Sequence, residues 1–307
     1  MTSNTFEDPS GTRSGLVVSV ANQKGGVGKT TTAVSVAAAL AHLGVHVLVV
    51  DLDPQGNAST GLGCRLAEGE PSTYGVLVDG EAASQAIRGT DVDGLWLLPA
   101  SLDLAGAEVE LVPAFSRELR LRRALEEVRH GFDLVMVDCP PSLGLLTINA
   151  LVAAHQVMVP IQCEYYALEG LSQLLRTVQL VGDNLNTDLE LGGVVLTMYD
   201  GRTNLAQQVV DEVRDYFGDR AYQTVIPRTV RLSEAPSFGQ PITTFDPNSR
   251  GARAYDRLAG EIAQRLGFEV ELPEPSPLDR LLAGDGSTSP DSQLSASVPS
   301  NDEGVQP

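Results

Sequence analysis

Lysine is almost missing from this 307-residue chain: of its 21 basic side chains 19 are arginine, and the two lysines, Lys24 and Lys29, stand five positions apart in one glycine-rich stretch. A chain that otherwise puts its solvated positive charge on arginine has kept a compact ammonium on a flexible stem only there. Cysteine is scarce as well. Cys64, Cys139 and Cys163 are odd in number and show no CxxC spacing, which argues against a disulfide framework or a structural zinc and for a reducing, cytosolic compartment. No apolar run reaches the ~18 residues of a membrane span, and residues 1–15 contain no apolar targeting core. Secretion and membrane insertion are therefore not expected. Net positive charge is also lacking: 40 acids against 21 bases give −19, and −11 remains on residues 16–268 when both ends are set aside. Contact with phosphate must come from a local patch.

What the chain has in plenty is short apolar runs alternating with helical periodicity, the pattern of an α/β fold with a doubly wound, mainly parallel sheet and helices on both faces. Expected strands are Leu16–Val20, Val45–Val50, Leu95–Leu98, Leu134–Val137, Gln156–Ile161, Gly193–Thr197 and Thr224–Ile226. Expected helices are Thr30–Leu43, Ser116–Arg129, Leu145–Ala154, Leu168–Asn184, Leu205–Phe217 and Arg250–Leu266. No internal repeat is visible. Residues 1–15 and the acidic, Pro/Ser-rich residues 269–307 carry too little apolar surface to order themselves, so both are expected to be disordered tails around one domain, 16–268.

The first strand runs straight into Gln23-Lys24-Gly25-Gly26-Val27-Gly28-Lys29-Thr30-Thr31 and then an alanine-rich helix. Strand, glycine loop and helix N-terminus together bind phosphate through backbone N–H groups. Against the G-x-x-x-x-G-K-[ST] spacing, Gly28, Lys29 and Thr30 match, while Gln23 fills the first glycine position. Lys29 is the expected ligand of the β- and γ-phosphates and Thr30 of Mg²⁺; a plain glycine turn capping a helix is the blander alternative. Strand Leu134–Val137 closes on Asp138, the arrangement in which a carboxylate holds Mg²⁺ through its water shell. Asp51 and Asp53 follow the second strand, at the ligand edge of a parallel sheet. Asp51 supports either the metal shell or the loop.

QKGGVGKTT, DLDPQGNA, DCPPS, VPIQCEYYALEGL and TVIPRTVRLSEAPSFG closely resemble, in order, the motifs of the ParA/Soj family of chromosome- and plasmid-partitioning ATPases. The resemblance spans about Leu16 to Leu266. It implies a deviant Walker A nucleotide-binding fold, ATP and Mg²⁺ as cofactors, and an ATP-dependent homodimer in which Lys24 reaches the partner's nucleotide. Gly25 and Gly26 then leave room for that approach, and the backbone from Lys24 to Thr31, Val27 included, surrounds the phosphates. Asp53 takes the place of the family's water-positioning acid and stands with Thr30 and Asp138 around the metal. By analogy adenine packs near Met198 and Pro227. The family further implies nonspecific double-stranded DNA and a ParB-type centromere-binding protein as partners, slow turnover without that partner, and a cytoplasmic, nucleoid-associated location.

Arg202 and Arg231 match positions at which the family binds DNA, and Arg228, Arg250 and Arg253 extend the same local charge. For Arg250, Arg253 and Arg257, spaced on one helical face, DNA contact and solvated pairing with Asp211, Asp215 or Asp256 are both open. Arg117, Arg120, Arg122 and Arg123 alternate with acids and read as an ordinary charged surface. Two relatives with other roles share the loop. A MinD-type division regulator needs a basic amphipathic membrane helix, which the acidic C-terminal residues do not supply, so no membrane partner is expected. A nitrogenase-type iron protein needs paired cysteines near the dimer axis, a placement that Cys139 and Cys163 do not match.

Overall fold

Nearly continuous Val and Leu runs are stable only where both faces of a strand are covered. In the computed structural model, which describes Arg13 and residues 15–164 and 171–271, these runs form β1 (Leu16–Val20), β2 (Val47–Asp51), β3 (Arg88–Gly89), β4 (Leu95–Leu98), β5 (Leu134–Asp138), β6 (Gln156–Gln162), β7 (Glu190–Tyr199) and β8 (Ala221–Pro227). The sheet order is β3-β4-β2-β5-β1-β6-β7-β8. Every pair is parallel except β3 with β4 at one edge. The helices are α1 (Lys29–His42), α2 (Asn57–Gly61), α3 (Ala83–Ala86), α4 (Leu104–Glu110), α5 (Arg120–Glu126), α6 (Leu145–Ala153), α7 (Leu171–Asn184), α8 (Asn204–Phe217), α9 (Val230–Glu234), α10 (Ile242–Phe245) and α11 (Arg250–Leu266). The expected doubly wound, mainly parallel α/β sheet is the fold observed.

Alternate strand residues face opposite layers. Val17, Leu48, Val50, Val135 and Val137 pack with α4 to α8, whereas Val18, Val20, Val47, Val49 and Met136 pack with α1, α10 and α11. Small side chains at Ala37, Ala38 and Ala39 are fully buried and let α1 lie between the sheet and α11. Among the described residues no helix is long and apolar enough to cross a membrane.

Three local expectations need correction. The helix expected over Ser116–Arg129 is a 3₁₀ turn at Arg117–Leu119, then the short α5, then a second 3₁₀ turn at Arg129–Gly131. Asn149 on α6 causes this: its Oδ1 accepts from Leu121 N and its Nδ2 donates to the Arg117 carbonyl, so tertiary bonds take over the helix start. Strands β2 and β5 each extend one residue further and end on Asp51 and Asp138 themselves. The helix expected from Leu168 is described from Leu171 onward; residues 165–170, and nearly all of both expected tails, lie outside the described residues.

Candidate active site

Parallel register builds the site. Asp51, Asp138 and Val20 end β2, β5 and β1 side by side, with Val20 opposite Asp138 and Asp138 opposite Asp51. The glycine loop leaves β1 at this carboxyl edge, where ligands of open α/β sheets bind. Gly28 stands at φ +87° and is the N-cap of α1, with no side-chain cap. The left-handed backbone admits glycine at little cost, and the N-terminal amides of α1 stay free for an anion. A Cβ on Gly25 would meet only Pro141, at 4.0 Å, and one on Gly26 would meet nothing.

The two lysines diverge. Lys29 is 6% exposed, and its Nζ donates to the Lys24 carbonyl at 3.3 Å. Burial draws its pKa down, while the charges of Asp138, Cys139 and Asp53 oppose that. Lys24, by contrast, is exposed. Two supports of this loop carried no sequence signal beyond their polarity. Asn22 donates through Nδ2 to the Pro160 carbonyl at 2.7 Å and accepts from Lys24 N at 3.0 Å. The hydroxyl of Thr197, at the end of β7, donates to the Val27 carbonyl at 2.8 Å.

The three carboxylates differ sharply in their partners. Asp138 is completely buried, and among the described residues neither of its oxygens accepts a hydrogen bond. Burial first, then the Asp51 charge, raises its pKa well above the usual carboxylate range, and the nearby Thr30 hydroxyl and Lys29 only partly offset this. Asp51 is equally buried but saturated: Oδ1 accepts from Asp53 N at 3.1 Å, and Oδ2 accepts from Ser59 N at 2.8 Å and Ser59 Oγ at 2.7 Å. Burial pushes its pKa to about 6 despite these donors. Of the two roles open to Asp51, the donors identify the loop. Asp53, 7% exposed, accepts from Gln55 N at 3.0 Å.

Carboxylates with free lone pairs beside a helix-terminal hydroxyl suit a hard divalent cation that keeps several waters. Thr30 and Asp138 fit that description. Among the described residues no cluster of three or more His, Cys, Asp or Glu side chains forms a ready-made metal cage, as expected where phosphate and water complete the shell. Cys139 and Cys163 are buried thiols whose pKa values burial raises, that of Cys163 to about 12.

Met198 and Pro227 occupy the ends of adjacent strands, with Tyr199 opposite Pro227. Met198 stands at φ +54°, an unfavourable conformation for a long side chain, of the kind found near binding sites. A cavity of about 210 Å³ opens on the other flank of the α1 N-terminus, lined in part by Thr30, Thr31, Asn57, Leu232 and Pro236 and by neither Met198 nor Pro227.

The five arginines gather beyond β7, beyond β8 and at the first turns of α11. Three of them are neutralised within the chain. Arg202, 88% exposed, forks onto Asp200 through Nε at 2.8 Å and Nη2 at 2.6 Å. Arg228 lies 3.8 Å from Glu164. Arg231 pairs with Glu234 at 3.1 Å and with Asp246 at 3.3 Å, 5.9 Å from the Phe245 ring centre. Arg250 and Arg253 enter no ion pair among the described residues. Arg117 and Arg122 pair with Glu118 and Glu126, as a charged helix surface does.

Comparison with known proteins adds to this geometry. Residues 15–191 match the model of a family described as an AAA domain. The chain is 59% identical to the sporulation initiation inhibitor protein Soj of Bacillus subtilis, over 81% of this chain and 98% of that protein. It is 54% identical to the chromosome-partitioning ATPase Soj of Thermus thermophilus, over 81% of this chain and 96% of that one. Among solved structures, a Mycobacterium smegmatis protein described as cobyrinic acid a,c-diamide synthase, with an ATP analogue and magnesium bound, has a TM-score of 0.73 at 42% identity, over 84% of this chain and 98% of its own. The cell-division ATPase MinD of Pyrococcus furiosus is more distant, at 0.69 and 25% identity over 81% and 99%. Fold, loop and carboxylates agree with the sequence relationship: the chain belongs to the ParA/Soj family of chromosome-partitioning ATPases.

Proposed function

We propose that this chain is a Mg²⁺-dependent ATPase that closes with ATP into a sandwich homodimer. The dimer holds nonspecific double-stranded DNA and lets go when a ParB-type partner stimulates an otherwise slow hydrolysis. The observation that carries this reading is the divergence of the two lysines around an open glycine pair. The burial of Lys29 supports a role on its own subunit's β- and γ-phosphates, and the exposure of Lys24 beside open Gly25 and Gly26 supports a role on a partner's. A second cation is what a transferring phosphoryl group needs as charge builds on its oxygens.

The amides from Gly25 to Thr31, those of Val27 and Gly28 among them, bind the phosphates. Thr30 and Asp138 hold Mg²⁺, with Asp53 facing the same space; the metal neutralises phosphate oxygens when bound. Asp53 orients the attacking water. Met198 and Pro227 are the proposed flank of the adenine. Arg202, Arg228, Arg231, Arg250 and Arg253 meet DNA phosphates, and two subunits double a modest patch. The ATPase is cytoplasmic and nucleoid-associated, with no membrane partner, and the distance from MinD favours partitioning over division-site placement.

The test is retention of the purified protein on nonspecific duplex at low salt with ATP, ADP or no nucleotide, alongside its oligomeric state, for the wild type and Lys24→Ala. Binding by an ATP-dependent dimer of the wild type alone is the expected result. An unchanged dimer in Lys24→Ala refutes the trans-lysine role, and equal retention in all nucleotide states refutes the switch.

A further inference from the structure

We propose that Ser59 is a positioning residue for hydrolysis, which cinches the 52–56 loop and the start of α2 onto Asp51 and so sets the direction of the Asp53 carboxylate. The inference rests on the reading of Asp53 as the water-positioning acid.

The loop between β2 and α2 is closed by a single carboxylate. One oxygen of Asp51 accepts from the Asp53 amide at its beginning, and the other accepts from both the amide and the hydroxyl of Ser59 at its end. At the two ends of this ring Leu52 and Ala58 are fully buried, and Leu52 N bonds the Asp138 carbonyl at 3.0 Å; between them the bonds are local. Gln55 N bonds the Asp53 carboxylate, Gly56 N bonds the Asp53 carbonyl at 2.8 Å, and Gly56 turns the chain at φ +60°. Asp53 thus sits between a strand end and a helix start that the Ser59 bonds tie together.

Ser59 does more than donate. Its Oγ accepts from Ala100 N at 3.0 Å, two residues past the end of β4, the strand beside β2. One hydroxyl therefore references the loop to two adjacent strands. An alanine at 59 keeps the backbone bond but removes a donor from buried Asp51 and strands a buried amide at Ala100. The end of the loop then keeps the Ser59 amide bond to Asp51 but loses both hydroxyl bonds, to Asp51 and to Ala100. Displacement of a catalytic group by about 1 Å can cost ~100-fold in rate, and a carboxylate that only orients water is as sensitive.

The experiment measures basal ATP turnover, nucleotide dissociation constant by fluorescent ADP displacement, and amide hydrogen exchange over 54–58, in full-length protein. The variants are Ser59→Ala, Ser59→Thr, Ser59→Cys, Asp53→Ala and Asp53→Ala with Ser59→Ala. The expected result for Ser59→Ala is a kcat at least ~10-fold lower, with nucleotide affinity within about twofold and faster exchange over 54–58. Ser59→Thr restores most of the turnover, and Ser59→Cys, which keeps the volume with a weaker donor, falls between. With Asp53 already removed, Ser59→Ala costs nothing more. Turnover of Ser59→Ala or Ser59→Cys within about twofold of wild type overturns the inference, as does a further loss in the Asp53→Ala background or a parallel loss of nucleotide affinity. Should Asp53→Ala itself turn over normally, the Asp53 reading fails instead, and the two failures are told apart by that single variant.

Discussion

Replacing Asp246 by asparagine should tighten DNA binding by the ATP-bound protein, because Arg231 is held by its own chain. Its guanidinium, 57% exposed, is shared between Glu234 and Asp246. Before a DNA phosphate can take it, at least one of these pairs must open. Exposed ion pairs are worth ~0.2–1 kcal/mol each, so a dimer that frees Arg231 twice gives up about twice that. Asp246→Asn removes the cost, and a gain of ~0.4–2 kcal/mol corresponds to about 2- to 30-fold tighter binding. The backbone bonds Asp246 N to Ile242 O and Ser249 N to Asp246 O do not involve the side chain and should keep the local fold. The assay is fluorescence anisotropy of a short duplex with ATP over a series of salt concentrations, with Asp79→Asn as a control. Asp79 is exposed and its turn packs into the opposite layer of the sheet. Affinity of Asp246→Asn equal to wild type at every salt refutes the argument. So does an equal gain in Asp79→Asn, which would make the effect one of net charge alone.

Gly28→Ala, forced into φ +87°, should cost ~1–2 kcal/mol and weaken nucleotide binding, whereas Gly25→Ala should leave urea stability and nucleotide affinity intact and weaken only the ATP-dependent dimer; analytical ultracentrifugation with urea titration separates the two. Asp138→Asn should leave the nucleotide-free chain at least as stable to urea, since it replaces a buried carboxyl whose charged form burial disfavours, while Mg²⁺-supported turnover drops ~10- to 100-fold. A destabilised variant or one with normal turnover would contradict this. The folded pKa of Asp51 lies above the ordinary 3.8, at about 6, so its proton is bound more tightly in the folded chain; that contribution is complete below the unfolded value and is lost as pH rises through about 6. Lowering the pH from 7.5 to 5.5 should strengthen the nucleotide-free protein by about 1 kcal/mol from this group, and a urea midpoint that falls over that interval would reverse the sign.

Most of the sheet was legible because Val and Leu runs buried on both faces cannot be mistaken for much else at strand length. Strand β3 was not, since Arg88 and Gly89 pair with Leu97 and Trp96 through backbone alone and present no pattern. The four- and five-residue helices α2, α3, α9 and α10 are too short to show a period. In the site, loop spacing singled out Gly28, Lys29 and Thr30, whereas Asn22, Thr197 and Ser59 also bond partners 138, 170 and 41 residues away, which no local pattern shows. The partners of three arginines were not legible either: Arg202 closes on Asp200 two residues before it, Arg228 faces Glu164 after β6, and Arg231 spans to Asp246 past α10.

Asp51 and Asp138 carry the chemistry of the edge as a contrast. They are the same residue type, equally buried, paired in register on adjacent strands, and nothing in composition or spacing separates them. What separates them is the supply of donors. The β2–α2 loop folds back and delivers three to Asp51, so that carboxylate is spent on holding backbone. The segment after β5 runs through Pro140 and Pro141, which have no N–H to offer, and among the described residues neither Asp138 oxygen accepts a hydrogen bond. A buried carboxylate in that condition weakens the fold that contains it, and a fold can retain it only where something else supplies the missing partners. On the proposed reading of Asp138 as a Mg²⁺ ligand, the proline pair after it serves the metal, because backbone donors there would have made Asp138 a second Asp51.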